Sequence, residues 1–364
     1  MKKILIVYAS AGAGHFKAAE AVYKYLKNNE KDAQIEFLDI LQQTNFLFRL
    51  FYTWGYSFLI NHAVALWRWA FWATYVRRLR RLTKKTAVII DRLNSARFSD
   101  YLVRQNPDFI ISTHFLPSEI AAYLKTQQKI TSKVITIITD FGVHPYWLSL
   151  GTDIYIVASD YTKEKLLLES GKPEDIRASG IPVDEKFLKS FNRRELSLKL
   201  GLDADKFTGI LITGSFGLGP IEEIVDALHG QLQLIVVCAR NKKLFTRLKK
   251  KNYPDCLVLG FVDNVQELMA VSDIIITKPG GMTISEVLAM ELVPFFISPI
   301  PGQETENMKA LQNYGIGQEI KRASDFKEII FDCKNNPGKM QKVREAIKKI
   351  KKPNAAQELS RVIR

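Results

Sequence analysis

Residues Asp273–Asn307, DIIITKPGGMTISEVLAMELVPFFISPIPGQETEN, contain the pattern that decides the fold. The apolar run from Asp273 to Thr277 predicts a buried strand, which breaks at Pro279-Gly280-Gly281 and restarts as a helix. A second strand, Pro294 to Ser298, ends at prolines and leads into the polar segment Gly302 to Asn307. This order of strand, glycine turn, helix and strand predicts a parallel α/β sheet. Both polar clusters then lie at the edge where such sheets bind ligands.

The glycine turn in this stretch suits a phosphate group. The first backbone N–H groups of the helix that follows have no partner inside the helix, and the helix dipole favours negative charge there. Glu286 lies one turn into the helix, where its carboxylate would accept hydrogen bonds from two sugar hydroxyls. A single Pro-Gly-Gly turn is usually only a helix start. Two polar clusters at neighbouring strand ends favour a nucleotide-linked ligand that carries hydroxyls.

The alternation of strands and helices runs along the chain twice. The predicted strands of the first run are Ile4–Tyr8, Gln34–Leu38, Asp108–Ser112, Lys133–Thr139 and Ile154–Ala158, and those of the second begin at Thr208. A chain of 364 residues is too long for one ordinary core and suits two domains of roughly 150 to 200 residues. We therefore predict two α/β domains, residues 1–182 and 183–352, each with helices on both faces of a parallel sheet.

Basic residues exceed acidic ones, which gives a net charge of +14. The excess is concentrated in two segments. Arg77–Arg92 holds seven basic residues and one acidic residue, and Lys339–Arg364 holds nine and two. Clustered positive charge indicates a polyanionic partner, either nucleic acid or anionic lipid, unless each cluster is only a solvated helix face.

The cysteine and aspartate patterns argue against a bound metal. The chain has three cysteines, whose spacing does not fit a zinc site, so we expect a reduced, cytoplasmic setting and no structural metal. Asp203 and Asp205 form an Asp-x-Asp pattern, but they precede a predicted strand, where a turn explains them better than a Mg²⁺ site. The N-terminal run MKKILIVYASAG reads as a strand leading into a glycine turn, so we expect no export signal there.

Residues 46–92 interrupt the first domain with an aromatic segment followed by a basic one. Phe46 to Tyr75 includes twelve aromatic residues and four of the five tryptophans. These tryptophans are Trp54, Trp67, Trp69 and Trp72, and the basic run RRLRRLTKK follows, beginning with Arg77 and Arg78. The aromatic segment is too polar for a spanning helix, which needs about 20 mostly apolar residues. We expect a helix in the headgroup layer of an anionic membrane; an insertion that packs on its own domain is the alternative.

The motif Ser10–His15, SAGAGH, joins the first strand to the first helix. It resembles half of a dinucleotide-binding fingerprint with Asp39 as the ribose-binding acid, but Lys17 stands where that fingerprint needs a small residue. The helix dipole lowers the pKa of an imidazole at a helix start, so His15 would stay neutral and able to accept a proton. Asp140, which follows another strand of the first domain, would orient or polarise that imidazole. A histidine that merely caps the helix is the alternative.

Four stretches of the sequence resemble those of one enzyme family. They are KPGGMTISE followed by PGQETEN, SAGAGH, TDFGVHPYW and GSFGLGPIEE. They are similar to segments of glycosyltransferase family 28, in particular its monogalactosyldiacylglycerol synthases and processive diacylglycerol glucosyltransferases, and they occur in the family's order. The resemblance implies the GT-B fold, in which two Rossmann-like, doubly wound parallel-sheet domains face a central cleft. It also implies that the last helix, residues 353–364, packs back on the first domain.

The resemblance assigns roles to individual residues. His15 matches the family's proposed general base. The residues expected to bind the UDP-sugar are Gly14, Gly214, Ser215, Gly217, Phe261, Val262, Lys278, Gly280, Gly281, Met282, Thr283, Glu286, Gln303, Glu304 and Asn307. His144 and Trp147 match the family's HPxW segment on the acceptor side. With the insertion residues, which the composition rather than the family indicates, the residues expected to contact the acceptor or the membrane are Trp54, Trp67, Trp69, Trp72, Arg77, Arg78, His144 and Trp147. Ser215 replaces a glycine common in the family, and His114 matches a family histidine, although a buried structural histidine is equally expected there.

The predicted activity is inverting, metal-independent transfer of a hexose from a UDP-sugar to a lipid hydroxyl, with diacylglycerol as the expected acceptor. The UDP-sugar is a co-substrate, and no cofactor and no nucleic acid are expected. The protein would work peripherally at the cytoplasmic face of the membrane. Three alternatives stay open. They are GlcNAc transfer to a lipid-linked peptidoglycan precursor, whose enzymes carry HKDRQQ-like residues where this chain has GQETEN, an NAD-dependent oxidoreductase, and a non-catalytic binder of nucleic acid or membranes.

Overall fold

The computed structural model describes the chain except residues 56, 57, 60, 61 and 171–174, and of residues 77–82 and 85 it describes only the backbone. In this described part, two six-stranded parallel sheets form the framework. The chain divides into two units. Unit 1 consists of Met1–Glu185, Ile300–Asn307 and Lys352–Arg364, and unit 2 consists of Lys186–Pro299 and Met308–Lys351.

The sheet of unit 1 is buried on both faces. Its strands are β1 (Lys2–Tyr8), β2 (Ala33–Asp39), β3 (Phe109–Ser112), β4 (Lys133–Ile137), β5 (Ile154–Ile156) and β6 (Asp175–Arg177). They lie parallel in the order β2-β1-β3-β4-β5-β6. Side chains alternate between the faces of a strand, and accordingly Ile4 and Ile6 of β1 pack in one core cluster while Leu5 and Val7 pack in another. Two buried faces are typical of a parallel sheet covered by helices.

Helices of unit 1 cover both faces of this sheet and form the insertion. They are α1 (Ala13–Asn29), α2 (Phe46–Leu50), α3 (Val64–Tyr75), α4 (Arg77–Asn94), α5 (Ala96–Gln105), α6 (Phe115–Thr126) and α7 (Asp160–Ser170). Val22 and Leu26 of α1 pack on the Ile4 face, whereas α5 and α6 pack on the Leu5 face. A π-helix, Phe51–Gly55, follows α2 directly. The helices α4 and α5 are separated at Ser95, whose φ of −115° is not helical.

Unit 2 repeats the arrangement. Its strands are β7 (Thr208–Ile212), β8 (Gln233–Val237), β9 (Cys256–Leu259), β10 (Ile274–Thr277), β11 (Val293–Phe296) and β12 (Gln318–Glu319). They lie parallel in the order β12-β11-β10-β7-β8-β9. The helices that follow are α8 (Arg193–Lys199), α9 (Ile221–Leu228), α10 (Lys242–Lys251), α11 (Val265–Ala270), α12 (Gly281–Ala289), α13 (Gln303–Gln312), α14 (Phe326–Asn335) and α15 (Pro337–Ile350). The predicted α/β class with two Rossmann-like parallel-sheet domains is confirmed.

Two segments from the end of the chain belong to unit 1. The last helix, α16 (Ala355–Ile363), packs Leu359 and Ile363 into the same cluster as Ile4 and Ile6. The segment Ile300–Asn307, which the sequence placed in the second domain, also belongs to unit 1. Its polar side chains hydrogen-bond to residues after β4. The periodicity of apolar residues along the chain cannot predict such long-range polar contacts.

Candidate active site

His15 is held by hydrogen bonds from two other loops of unit 1. It is the third residue of α1, in the segment that follows β1. Its Nδ1 lies 2.7 Å from the backbone oxygen of Thr113 and 3.0 Å from the hydroxyl oxygen of Thr139. Because a carbonyl oxygen can only accept, Nδ1 carries the proton and Nε2 keeps its lone pair. Within the described residues Nε2 makes no hydrogen bond, so it is available to accept a proton from a bound hydroxyl.

The surroundings of His15 favour its neutral form. Burial lowers the pKa of the His15 imidazole below its usual value, although the charge of Asp140 and the hydrogen bond to Thr113 oppose this shift. The rings of His114 and Trp147 lie 4.6 and 6.2 Å away, centroid to centroid. The sequence predicted a lowered pKa from the helix dipole, whereas the structure shows burial as the main cause. A neutral imidazole is the form that a general base requires.

Asp140 acts on His15 through space. Its carboxylate accepts hydrogen bonds from Gln303 Nε2 at 2.9 and 3.0 Å and from Asn307 Nδ2 at 3.1 Å. His15 is not among its hydrogen-bond partners in the described part of the chain. Burial raises the pKa of Asp140, while these hydrogen bonds and the positive charge that His15 can carry lower it in part. The ring of His15 is therefore oriented by the threonine loops, and Asp140 tunes its basicity.

Asn307 connects the segment Ile300–Asn307 to the loop after β4. Its side chain is fully buried, and Oδ1 accepts the backbone N–H groups of Phe141 at 2.8 Å and Gly142 at 2.9 Å. With Nδ2 donating to Asp140, one amide satisfies three buried polar groups. A Cβ at Gly142 would lie 2.5 Å from the Cβ of Glu306, so only glycine permits this approach. The sequence predicted that Asn307 contacts the UDP-sugar, and the structure gives this residue an additional structural role.

His114 is a buried histidine that caps a helix. It caps α6, where its Nδ1 accepts the backbone N–H of Leu116 at 3.1 Å, and its side chain is packed against the rings of His15 and Phe115. Burial, and then the neighbouring His15, lower the pKa of His114 well below its usual value. Its described contacts agree with the structural interpretation that the sequence left open.

His144 is enclosed by one face of α3. Its Nε2 lies 2.8 Å from the hydroxyl of Thr74, and its Nδ1 accepts the backbone N–H of Tyr146. The rings of Phe71 and Tyr75 lie 4.9 and 5.1 Å from the His144 ring. Since a hydroxyl and a backbone amide already occupy its nitrogens, His144 fastens the insertion to the loop after β4.

The same face of α3 contacts the segment that carries Gln303. Trp67 Nε1 donates to the backbone oxygen of Pro301 at 2.9 Å. Gly302 has φ +94°, and a Cβ there would lie 2.3 Å from the ring of Phe71. Both the left-handed backbone and the close ring therefore require glycine at this position. Through these contacts α3 holds the backbone next to the side chain that hydrogen-bonds to Asp140.

The opposite face of α3 is exposed. Trp69 is 63% and Trp72 is 59% exposed, and Trp54 of the π-helix is 73% exposed. One predicted membrane contact needs correction: Trp147 is only 3% exposed because it packs in the core beside His15, so its ring does not reach a bilayer surface. Trp67 is half-buried, and its Nε1 bonds to Pro301, so part of this ring is taken up by the domain. The predicted contacts Arg77 and Arg78 have side chains outside the described residues. None of the helices in the described ranges combines the length and the apolarity needed to cross a membrane.

In unit 2, glycines shape the turn after β7. Gly214 and Gly217 have φ values of +80° and +58°, and a Cβ at Gly217 would lie 2.3 Å from the backbone oxygen of Cys238. The backbone oxygen of Ser215 accepts the N–H of Arg240, and Asn241 Nδ2 donates to the oxygen of Gly217. The turn is thus fastened to the end of β8, with an open backbone that a diphosphate can approach.

The start of α12 lies at the same edge of this sheet, because β10 neighbours β7 in a parallel order. Gly280 precedes the helix without a side-chain cap, and Gly281 is its first residue. The side chains of Met282 and Glu286 are buried, and those of Lys278, Thr283 and Val262 are half-buried. Phe261, after β9, is 65% exposed, and the guanidinium of Arg240 lies 5.9 Å from its ring centre. These positions agree with a site for a phosphate and an attached planar ring.

Gly14 and Glu304 take part in local structure, and the side chains of two aspartates considered in the sequence, Asp39 and Asp203, accept backbone N–H groups. Gly14 is the second residue of α1, and Glu304 Oε2 accepts the backbone N–H of Ile300 at 2.7 Å. Asp39 Oδ1 accepts the N–H groups of Ser10 and Leu41, which shapes the loop before α1 and disfavours a ribose-binding role. Asp203 accepts the N–H of Asp205, as in the turn that the sequence indicated.

Sequence reasoning missed the residues that orient His15. Thr113 and Thr139 each stand directly before a residue that was singled out, His114 and Asp140. A hydroxyl residue at a strand end, next to the candidate carboxylate Asp140, was a signal that could have identified Thr139. The role of the Thr113 carbonyl has no sequence signal, because every residue has a carbonyl.

Comparisons with known proteins agree with this arrangement. Residues 15–183 match the family model described as monogalactosyldiacylglycerol (MGDG) synthase, and residues 215–359 match the glycosyltransferase family 28 C-terminal domain. The chain is 28% identical over 366 residues to a processive diacylglycerol beta-glucosyltransferase of Bacillus pumilus, with 98% of this chain and 93% of that one covered. It is 29% identical over 345 residues to the enzyme of that name from Staphylococcus epidermidis, with 92% and 85% covered.

A solved structure shares the fold. The crystal structure of Acinetobacter baumannii MurG matches with a TM-score of 0.65 at 15% identity, covering 100% of this chain and 99% of that one. At this identity the likeness concerns the fold alone, and it confirms the predicted GT-B class.

Proposed function

The chain belongs to glycosyltransferase family 28, and from this premise we propose that it transfers a hexose from a UDP-sugar to the hydroxyl of diacylglycerol with inversion at the anomeric carbon. The observation that carries the catalytic part is the tautomer of His15, whose Nδ1 proton is held by the Thr113 carbonyl and whose Nε2 lone pair is available. An imidazole in this state can take a proton at neutral pH.

The reaction begins at the acceptor hydroxyl. His15 Nε2 takes its proton as the oxygen attacks the anomeric carbon from the face opposite UDP. The new carbon–oxygen bond forms while the bond to the β-phosphate breaks, and UDP leaves with the electron pair. The negative charge of Asp140 stabilises the imidazolium that results, because this carboxylate raises the pKa of His15.

The donor diphosphate is proposed to bind at the glycine edge of unit 2. The turn at Gly214–Gly217 and the backbone N–H groups at the start of α12 provide donors without a metal, and Lys278 adds a positive charge. Glu286 would accept hydrogen bonds from the ribose hydroxyls, and Phe261 and Val262 would contact the base. Gln303 and Glu304 remain proposed contacts for the hexose hydroxyls, and UDP-sugar binding would then compete with the Gln303 to Asp140 hydrogen bond.

The direct test uses the purified protein, liposomes that contain diacylglycerol, and a panel of UDP-sugars. We expect one UDP-hexose to give a glycolipid with a β-linkage from an α-linked donor, and chelators to leave the rate unchanged. Lipid extraction with radiolabelled sugar measures the product. Transfer only from UDP-GlcNAc to a lipid-linked peptidoglycan precursor, or binding of NADH without UDP binding, would replace this proposal with the corresponding alternative.

The low pKa of His15 predicts the pH dependence of transfer. Because burial lowers the pKa of the free enzyme's base below 6.5, the acid-side inflection of kcat/KM should lie below pH 6.5. In Asp140→Asn the negative charge that raises the pKa of His15 is absent, so the inflection should move to lower pH and the maximal rate should fall. Rates across pH at fixed lipid composition measure both effects. An inflection above 6.5 in the wild type contradicts the assignment.

We propose that the exposed face of α3 binds the membrane at its cytoplasmic side, with the basic helix α4 on anionic headgroups. Replacing Trp69 and Trp72 together with serine should weaken partitioning onto phosphatidylglycerol vesicles at least about tenfold, because two exposed rings lose their apolar contact. Vesicle co-sedimentation measures this. Phe331→Ser, at an aromatic residue of unit 2 that is 66% exposed, is the matched control. Equal losses in both proteins would show that general surface hydrophobicity, rather than α3, drives binding.

A further inference from the structure

An open apolar groove lies between α2, the π-helix and the end of α4. Its volume is about 660 Å³, and its lining residues are Asn45, Phe46, Leu47, Phe48, Phe51, Tyr52, Ile90 and Asn94. Phe46, Leu47, Phe51 and Ile90 are 65, 64, 74 and 52% exposed. So many large apolar side chains in one concave surface are unusual for a region that meets only water.

The groove is connected to the proposed base by a series of rings. Phe48 and Tyr52 line the groove and lie 5.4 Å apart, and the Tyr52 ring lies 5.9 Å from His114. The His114 ring in turn lies 4.6 Å from that of His15. Phe48 and Tyr52 also pack against the core of unit 1, so the inner wall of the groove is anchored in the domain. A ligand in the groove is therefore placed next to the residues that surround the base.

The lining identifies the chemistry of the occupant. The eight lining residues carry no charge, and the amides of Asn45 and Asn94 hydrogen-bond to each other at one end of the wall. The volume falls within the range of about 300 to 1,000 Å³ that is typical of ligand pockets. An uncharged groove lined mainly by apolar side chains fits a hydrocarbon chain better than a headgroup or a sugar.

We propose that this groove binds one acyl chain of the lipid acceptor and so places the acceptor hydroxyl near His15. The inference rests on the proposed function, since it assumes that the acceptor is an acylated glycerol. It assigns chain recognition to Phe46–Tyr52 and Ile90, whereas membrane binding is assigned to the exposed tryptophans of α3. For acceptors dispersed in water, each methylene that enters the groove should tighten binding by about fourfold.

The first test blocks the groove from its exposed side. Ile90→Trp fills the groove with a larger side chain. Ile89→Trp is the matched control, because Ile89 is the adjacent residue of α4, is 48% exposed and does not line the groove. We expect Ile90→Trp to raise the KM for dioctanoylglycerol about 16-fold, which corresponds to about two displaced methylenes. Its KM for the UDP-sugar, its vesicle binding and its melting temperature should match those of Ile89→Trp.

A chain-length series strengthens this test. The wild type and Ile89→Trp should show a KM that falls steadily from dibutyryl- to dioctanoylglycerol, and Ile90→Trp should show a flattened series. If both tryptophan variants keep the wild-type series, the groove does not hold the chain and the inference is overturned.

A second test has a readout that does not depend on activity. Diacylglycerol with a diazirine in one acyl chain should crosslink to peptides that contain Phe46–Tyr52 or Ile90, and Ile90→Trp should lose that crosslink. Crosslinks confined to other peptides would overturn the inference, as would self-association of the wild type that Ile90→Trp abolishes, because a second copy would then occupy the groove. Crosslinking at the groove in a protein that transfers no sugar would keep the inference as an acyl-chain site and reject only the proposed function.

Discussion

His15→Ala is expected to lower kcat for sugar transfer about 10³-fold while leaving the affinity for UDP unchanged, since general bases typically contribute 10²- to 10⁴-fold. The physical reason is the state of the imidazole. Thr113 fixes the Nδ1 proton, and burial lowers the pKa, so Nε2 is unprotonated and ready at neutral pH. Alanine removes the proton acceptor, while the glycine turns of unit 2, which we propose bind UDP, are unchanged.

Single-turnover transfer and UDP titration calorimetry measure the two halves of this prediction. His229→Ala is the control, because His229 is an exposed histidine of unit 2 and should retain full rate and affinity. A His15→Ala protein that retains more than a tenth of the wild-type kcat would show that another group takes the proton. A parallel loss of UDP binding would instead indicate that His15 supports the structure of the donor site.

Asn307→Ala is expected to lower the free energy of unfolding by about 2–4 kcal/mol and to abolish transfer. The Asn307 amide accepts two buried backbone N–H groups, those of Phe141 and Gly142, and donates to Asp140. Alanine leaves these groups without their partner, and each unsatisfied buried polar group costs about 1–3 kcal/mol. The loop that carries Asp140 also loses its attachment to the segment Ile300–Asn307. Urea unfolding gives the stability, and glycolipid formation gives the activity.

Asn307→Asp keeps the shape of the side chain and replaces only the Nδ2 group that donates to Asp140. The carboxylate still accepts from Phe141 and Gly142, but it places a second negative group beside Asp140, whose pKa is already raised by burial. A carboxyl with a raised pKa in the folded state destabilises the protein at neutral pH and regains stability as the pH falls and it binds a proton. The stability deficit of Asn307→Asp should therefore shrink as the pH is lowered from neutral toward the raised pKa of the carboxyl pair, whereas that of Asn307→Ala should persist. Wild-type urea resistance in Asn307→Ala would contradict the proposed connection.

The aromatic insertion shows how far a sequence pattern reaches. The excess of tryptophan beside a basic run was visible in the chain, and it led to an interfacial helix with four tryptophans facing the bilayer. In the structure, Trp69 and Trp72 are exposed, but Trp67 hydrogen-bonds to Pro301, 234 residues further along the chain. The difference arises because one face of α3 packs on its own unit, and composition records only the total number of rings.

The sequence by itself determined the two parallel sheets, the glycine turns at their edges and the position of His15 at a helix start, because these depend on periodicity and on backbone chemistry within a few residues. Tertiary structure alone decided which atoms complete the site. The proton on His15 is held by a carbonyl 98 residues away, and Asp140 is bound by Gln303 and Asn307 across more than 160 residues of chain. Such partners are set by where separate elements meet in the fold. For that reason the segment Ile300–Asn307, a donor loop by its motif, also supports the carboxylate that tunes the base.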